Sequence, residues 1–217
     1  MEKKLVIFDL DGTLIDTIDD LGTAVNYALA CKGLPVHPIE AYRLMVGGGV
    51  RNLMYRAMPE SLKESEQDLD SLLELFMGYY STHIADHSRP YPGIVELLSA
   101  LSAEGRLLAV ASNKFQSGVE KLISHFFPLI PFVSVRGGRP DCPLKPDPTI
   151  VLRIMEQAGV TASNTLMVGD SGTDISTAEA AGIRSVAVSW GFRPECVAKA
   201  DFSAGSAQEL QEVLLGL

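Results

Sequence analysis

Leu5-Val6-Ile7-Phe8-Asp9-Leu10-Asp11-Gly12-Thr13 opens with four apolar residues and closes on two acids, a glycine and a threonine. The apolar run reads as a strand buried on both faces, and the remainder as a polar turn at its carboxyl end. The same grammar recurs downstream. Leu107 to Ala111 runs into Ser112-Asn113-Lys114, and Leu166-Met167-Val168 into Gly169-Asp170. Phe132 to Val135 runs into Arg136-Gly137-Gly138, and Ser185 to Val188 into Ser189-Trp190-Gly191. Ile94 to Ala103, Val119 to Phe126, Thr149 to Ala158, Ile175 to Ala181 and Ala207 to Leu215 carry apolar residues at three and four spacing, so helices separate the strands. Alternating β and α predicts an α/β fold with a doubly wound parallel sheet, a Rossmann-like core. Ligands of such sheets bind beyond the carboxyl ends of the strands, where these polar clusters converge.

One stretch breaks the alternation. From residue 16 to 87 the pattern is amphipathic helix without a convincing strand, marked by Leu21, Val25, Ala28 and Leu29 and again by Leu69, Leu72, Leu73, Phe76 and Tyr80. We read it as an inserted α-helical cap domain spanning 16–87, with 1–15 and 88–217 forming the core. Pro90-Tyr91-Pro92-Gly93 supplies the turn back into the core. A cap beside the active edge can exclude water and select substrates, with hinges expected near 16–20 and 87–92.

Composition narrows the function classes. The chain has 217 residues, 47% of them hydrophobic, and a mean hydropathy of +0.17, which excludes disorder for most of its length. Eighteen basic residues against 27 acidic ones give a formal charge of -9 and no basic stripe, which disfavours nucleic acid as a partner. Cys31, Cys142 and Cys196 form no Cys-x-x-Cys pair and suggest neither a disulfide framework nor a zinc site. Lys3 and Lys4 precede an apolar stretch of only four residues, too short for a signal peptide or membrane span. The expectation is a cytoplasmic protein without a membrane partner, monomer or homodimer.

Four clusters carry candidate chemistry. Asp9 and Asp11, two apart in extended chain, face one side while Leu10 packs away. Paired carboxylates repel unless a cation or shared proton relieves them, and Mg2+ takes such oxygens while leaving positions for phosphate. Gly169-Asp170-Ser171-Gly172-Thr173-Asp174 again sets acids after a buried strand, though Ser171, Thr173 and Asp174 equally suit a helix cap. Ser112 can donate to a phosphoryl oxygen or serve as a turn hydroxyl. Lys145, before the Pro146-Asp147-Pro148 helix start, can hold an anion or stand as a surface charge. In the insert, Gly47-Gly48-Gly49-Val50-Arg51 is a glycine-rich turn whose backbone can approach a ligand, with Arg51 available to an anion. Trp190 to Arg193 can line the same mouth. His37, His83, His87 and His125 have no metal-binding spacing, and Met45, Met54, Met58 and Met77 read as core filler.

In this order and at these strand ends, Asp9-Leu10-Asp11-Gly12-Thr13, Ser112-Asn113, Lys145-Pro146 and Gly169-Asp170 with Asp174 resemble the four motifs of the haloacid dehalogenase superfamily. The insert after the first motif resembles its helical cap subclass. Asp9 through Thr17 and Ser112-Asn113-Lys114 look most like its phosphoglycolate phosphatase group. The resemblance implies that Asp9 attacks phosphorus to form an aspartyl phosphate, while Asp11 protonates the leaving oxygen and then activates water. It implies Mg2+ between the Asp9 carboxylate, the Asp11 backbone carbonyl and Asp170, with Asp174 orienting Lys145 or a metal-bound water. Ser112, Asn113 and Lys145 would hold the transferring phosphoryl group, with Thr13, Gly48 and Arg51 as substrate contacts. The expected partner is a small phosphorylated metabolite. Asp11 suits phosphate chemistry and argues against halide release. A sugar phosphomutase or a pyrophosphatase of the same superfamily, and a phospho-accepting signalling domain, are the competing readings.

Overall fold

The computed structural model describes residues 4–217, without the side chains of 196 and 197; Lys3 and the Cys196 thiol lie outside the described residues. Cys31 and Cys142 are free thiols. The chain folds as two compact units, one of Met1–Asp16 with Pro90–Leu217 and one of Thr17–Arg89.

The larger unit is built on six parallel strands: β1 Leu5–Phe8, β4 Leu107–Phe115, β5 Phe132–Gly138, β6 Thr165–Gly169, β7 Arg184–Val188 and β8 Phe202–Ala204. Short β2 (Ile15–Asp16) and β3 (Arg89–Pro90) form a separate two-stranded sheet. The large sheet runs β5-β4-β1-β6-β7-β8, every pairing parallel. Its helices are α4 Ile94–Ala103, α5 Gln116–Phe126, α6 Thr149–Ala158, α7 Gly172–Ala180 and α8 Ala207–Gly216. Right-handed crossovers put α4 and α5 on one face and α6 and α7 on the other, because the chain steps one way from β1 to β5 and the opposite way from β5 to β8. Both faces are therefore covered, which is why β1 can be apolar and fully buried throughout. Leu5, Ile7, Ala109, Ala111 and Met167 meet Ile150, Val151, Ile154 and Ala178 on the α6 and α7 side.

Two features depart from the sequence reading. The strand expected to stop at Ala111 runs on as β4 to Phe115, so Ser112, Asn113 and Lys114 sit on extended chain. The extension pairs with β5, with a register irregularity between Ala111 and Phe115 and a partner in Gly138. Gly137 admits the close approach, since a Cβ there would fall 2.6 Å from the Lys114 carbonyl oxygen. The second departure is β8, an edge strand of three residues with too few positions to show a period.

The smaller unit holds α1 (Ile18–Cys31), α2 (Gly49–Ala57) and α3 (Glu66–His83). Leu21, Val25, Ala28 and Leu29 of α1 and Leu69, Leu72, Phe76 and Tyr80 of α3 are buried. A Cβ on Gly22 would sit 2.7 Å from the Tyr42 ring, so this glycine sets the close packing of α1 on Ile39–Leu44. Met54 and Met58 are core residues, whereas Met45 and Met77 are only half buried and serve the core less than expected. No helix among the described residues is long and apolar enough to cross a membrane.

Candidate active site

The chain leaves β1 toward one face of the sheet and β6 toward the other, opening a crevice at their carboxyl ends. Asp9 N donates to Val168 O at 2.9 Å, fixing the end of β1 against β6. Asp9, Asp170 and Asp174 converge there, with one carboxylate oxygen of each inside a 4.8 Å circle.

Lys145 sits among these acids with its side chain only 2% exposed, so it is no surface charge. Its Nζ lies 2.9 Å from Asp9 Oδ1 and 2.6 Å from Asp174 Oδ1. Asp174 is the N3 residue of α7 in a reciprocal capping box with Ser171, whose N and Oγ donate to Oδ2 at 3.2 and 2.6 Å. One oxygen of Asp174 thus caps α7 and the other holds Lys145. Asn113 completes the setting. Its Nδ2 donates to Lys145 O at 2.9 Å and its Oδ1 accepts from Lys145 N at 2.8 Å. The Asn113 amide thereby fixes the lysine backbone.

Asp170 accepts from Phe192 N at 2.7 Å through Oδ2. Trp190-Gly191-Phe192 is packed so closely here that a Cβ on Gly191 would overlap Asp170 Cβ and the Gly12 carbonyl oxygen. Gly12 has φ +83 and would itself overlap the Asp170 carboxylate if it carried a Cβ. Trp190 Nε1 donates to Thr13 O at 3.1 Å, so the segment after β7 braces the first motif from below.

Asp11 stands apart from the three-acid cluster. Its two oxygens receive Lys114 Nζ at 3.0 and 3.3 Å. Lys114 N also donates to Ser112 Oγ at 3.3 Å, orienting that hydroxyl. Thr13 is fully buried, and its Oγ1 makes no hydrogen bond. In the smaller unit, Arg51 is engaged locally by Glu66 and Asp70, and Gly48 caps the start of α2.

The electrostatics follow from burial and charge crowding. Burial first, then Asp174 and Asp11, push the Asp9 carboxyl up to about 7 against the pull of Lys145. Asp170 is raised well above the usual carboxylate range, by burial and then by Asp174 and Asp9. For Lys145 burial opposes the charge, but Asp174 and Asp9 outweigh it and raise its pKa. Crowded carboxylates of this kind are relieved by a hard divalent cation, and an all-oxygen donor set suits one.

A model of haloacid dehalogenase-like hydrolases matches residues 6–188. The chain belongs to that family. It is 39% identical over 207 residues to a phosphoglycolate phosphatase of Mesorhizobium japonicum, covering 94% of this chain and 90% of that one. It is 35% identical over 218 residues to a phosphoglycolate phosphatase of Vibrio parahaemolyticus, covering 97% and 96%. A crystal structure from Lactobacillus delbrueckii subsp. bulgaricus, with phosphoglycolate phosphatase as its proposed function, superposes over 100% of both chains with a TM-score of 0.92 at 30% identity. The protein is a phosphoric monoester hydrolase of the haloacid dehalogenase family, which sets aside the signalling-domain reading.

The sequence named the acids, Ser112 and Lys145, and in the larger unit the structure brings Asp9, Asp170, Asp174 and Lys145 together, with Asp11 and Ser112 both bonded to Lys114. It did not reveal that Lys114 pairs with Asp11 or that Phe192 N holds Asp170. A cation inside the Ser112-Asn113-Lys114 motif was the available signal for the first.

Proposed function

We propose that the protein hydrolyses phosphoglycolate with Mg2+, through an aspartyl phosphate on Asp9. The observation that carries this reading is the division of labour among the acids. Asp9 lies with Asp170, Asp174 and Lys145, whereas the Asp11 carboxylate is held apart on Lys114. A nucleophile and a proton-transfer group need such separate surroundings.

Asp9 attacks phosphorus through a carboxylate oxygen, the bond from phosphorus to the ester oxygen breaks, and Asp11 delivers a proton to that oxygen. Water then attacks the phosphoryl group, Asp11 takes its proton, and the bond to Asp9 breaks to release phosphate. Lys145 and the Ser112 hydroxyl hold phosphoryl oxygens where charge is spread, which is most of what this chemistry requires. Asp9, Asp170 and the Asp11 carbonyl would hold Mg2+, with Asp174 behind them. The ion would supply charge neutralisation between nucleophile and phosphoryl oxygens. The helical unit, residues 16–87 in the sequence reading, serves as the cap. Gly48 and Arg51 are its substrate contacts in the sequence reading.

Phosphate release from phosphoglycolate, pyrophosphate, hexose phosphates and nucleotides, with Mg2+ or chelator, tests the reading. The expected result is Mg2+-dependent turnover of phosphoglycolate that Asp9→Asn abolishes. Preferred turnover of pyrophosphate or a hexose phosphate would replace it.

A further inference from the structure

We propose that Lys114 is a specificity-determining residue that receives an anionic group on the alcohol half of the substrate. It selects monoesters with a carboxylate one carbon from the ester oxygen. The inference rests on the phosphoglycolate reading above, because it needs Asp11 to act at the leaving oxygen.

The Lys114 side chain is 2% exposed and that of Asp11 12%. An ammonium is withdrawn from water at large cost, and an apolar residue of similar volume commonly fills such a place as well or better. The chain nevertheless brings this cation to the crevice by extending β4 past its pairing irregularity, against a glycine that a side chain would block.

Distances place the ammonium beside the leaving group. A proton-transfer carboxyl stands about 2.7 Å from the oxygen it serves. Lys114 Nζ is 3.0 Å from Asp11 Oδ1. The ammonium is therefore within about 6 Å of the ester oxygen. Carboxylate oxygens of a glycolate unit lie about 3 Å from that oxygen, and a charge-assisted hydrogen bond spans about 2.8 Å, so the lengths close. The three donors of an ammonium allow it to keep Asp11 while receiving the substrate.

Charge points the same way. Lys145 pairs with Asp9 and Asp174, and Lys114 pairs with Asp11. Lys145 thus serves the nucleophile side, and Lys114 is the cation paired with the proton donor. Arg51 already faces two carboxylates, Glu66 and Asp70, in its own unit.

The test compares phosphoglycolate with ethyl phosphate, which has the same carbon count and no carboxylate, in the unsubstituted enzyme and Lys114→Met with Mg2+. The unsubstituted enzyme should favour phosphoglycolate in kcat/KM by about 30-fold or more, the scale of one charge-assisted contact. Lys114→Met should lower that ratio at least about tenfold, mainly through KM for phosphoglycolate. Equal proportional losses on both substrates would overturn the inference, since Lys114 would then act only through Asp11. So would equal kcat/KM for the two esters in the unsubstituted enzyme, a comparison that stands even where the variant does not fold. In either case phosphoglycolate turnover persists and the proposed function survives. An enzyme that hydrolyses other monoesters but not phosphoglycolate overturns both.

Discussion

Asn113 and Lys145, 32 residues apart, clasp each other through one side-chain amide and one backbone unit, at 2.9 and 2.8 Å. The clasp ties the end of β4 to the segment before α6, so the lysine reaches Asp9 and Asp174 from a fixed backbone. Removing a buried partner leaves both Lys145 groups without their bonds, at about 1–3 kcal/mol. Asn113→Ala should therefore lower stability by that amount in urea denaturation. It should also lower kcat by about 10–100-fold, because a displaced Lys145 no longer meets the phosphoryl group. Asn113→Asp should be no better, since its carboxylate confronts the Lys145 carbonyl. Near-normal kcat in Asn113→Ala would remove the positioning role.

The raised pKa of Asp9, from an ordinary 3.8 to about 7, makes stability depend on pH in a direction opposite to that of ion-paired acids. In the native state Asp9 keeps its proton while the unfolded chain has released it, so stability falls as pH rises between about 4 and 7. Asp170 adds to the same trend. In chelator, Asp9→Asn should melt above the unsubstituted protein at pH 8, with the gap narrowing toward pH 5. Millimolar Mg2+ should raise the unsubstituted protein by several degrees at pH 8, at about 2–4 °C per kcal/mol for a chain this size, and do less for the variant. Parallel pH profiles of the two proteins in chelator would contradict the assignment.

What the sequence made legible shares one property: it lies within a single local pattern. Asp9, Asp11, Ser112 and Asp170 end apolar runs, and a parallel sheet brings run ends together whatever the details. Lys114 and Asp11 are 103 residues apart, and their pairing depends on how far β4 continues, which β5 decides through Gly137. The clasp of Asn113 on the Lys145 backbone joins residues 32 apart, which no local pattern shows. The Phe192 contact uses a backbone amide, which no residue type announces.

Gly191 has no room for a side chain, and the atoms in its way belong to Asp170 and to the backbone of Gly12. Backbone cannot turn aside as a flexible side chain can, so Gly191→Ala must separate the segment after β7 from the first motif, at about 1–3 kcal/mol. The Phe192 amide then loses its hold on Asp170. The half-saturating Mg2+ concentration should rise about tenfold or more, the scale of losing a partner that orients a ligand. Trp190 is the sole tryptophan and touches Thr13 O, so its fluorescence should report the same shift without any turnover. An unchanged Mg2+ titration by both readouts would show that this segment does not position Asp170.

Asp20 is buried in the first turn of α1 and gathers the chain that follows α3. It accepts from His87 N at 2.9 and 3.1 Å, from Ser88 N at 2.8 Å and from Ser88 Oγ at 2.6 Å. Helix α1 and residues 87–88 are thereby fastened at one point, next to the exposed Arg89. Asp20→Ala removes the acceptor of the His87 and Ser88 amides, and should cost about 2–4 kcal/mol by urea denaturation. Ser88→Ala removes only the hydroxyl contacts and should cost about 1 kcal/mol. Because the fastening restrains the backbone at residues 87–88, hydrogen exchange of the Ser88 amide should speed up at least about fivefold in Asp20→Ala, tracking the lower free energy of local opening. Equal exchange rates in Asp20→Ala and the unsubstituted protein would mean that the chain at residues 87–88 is held by something other than Asp20.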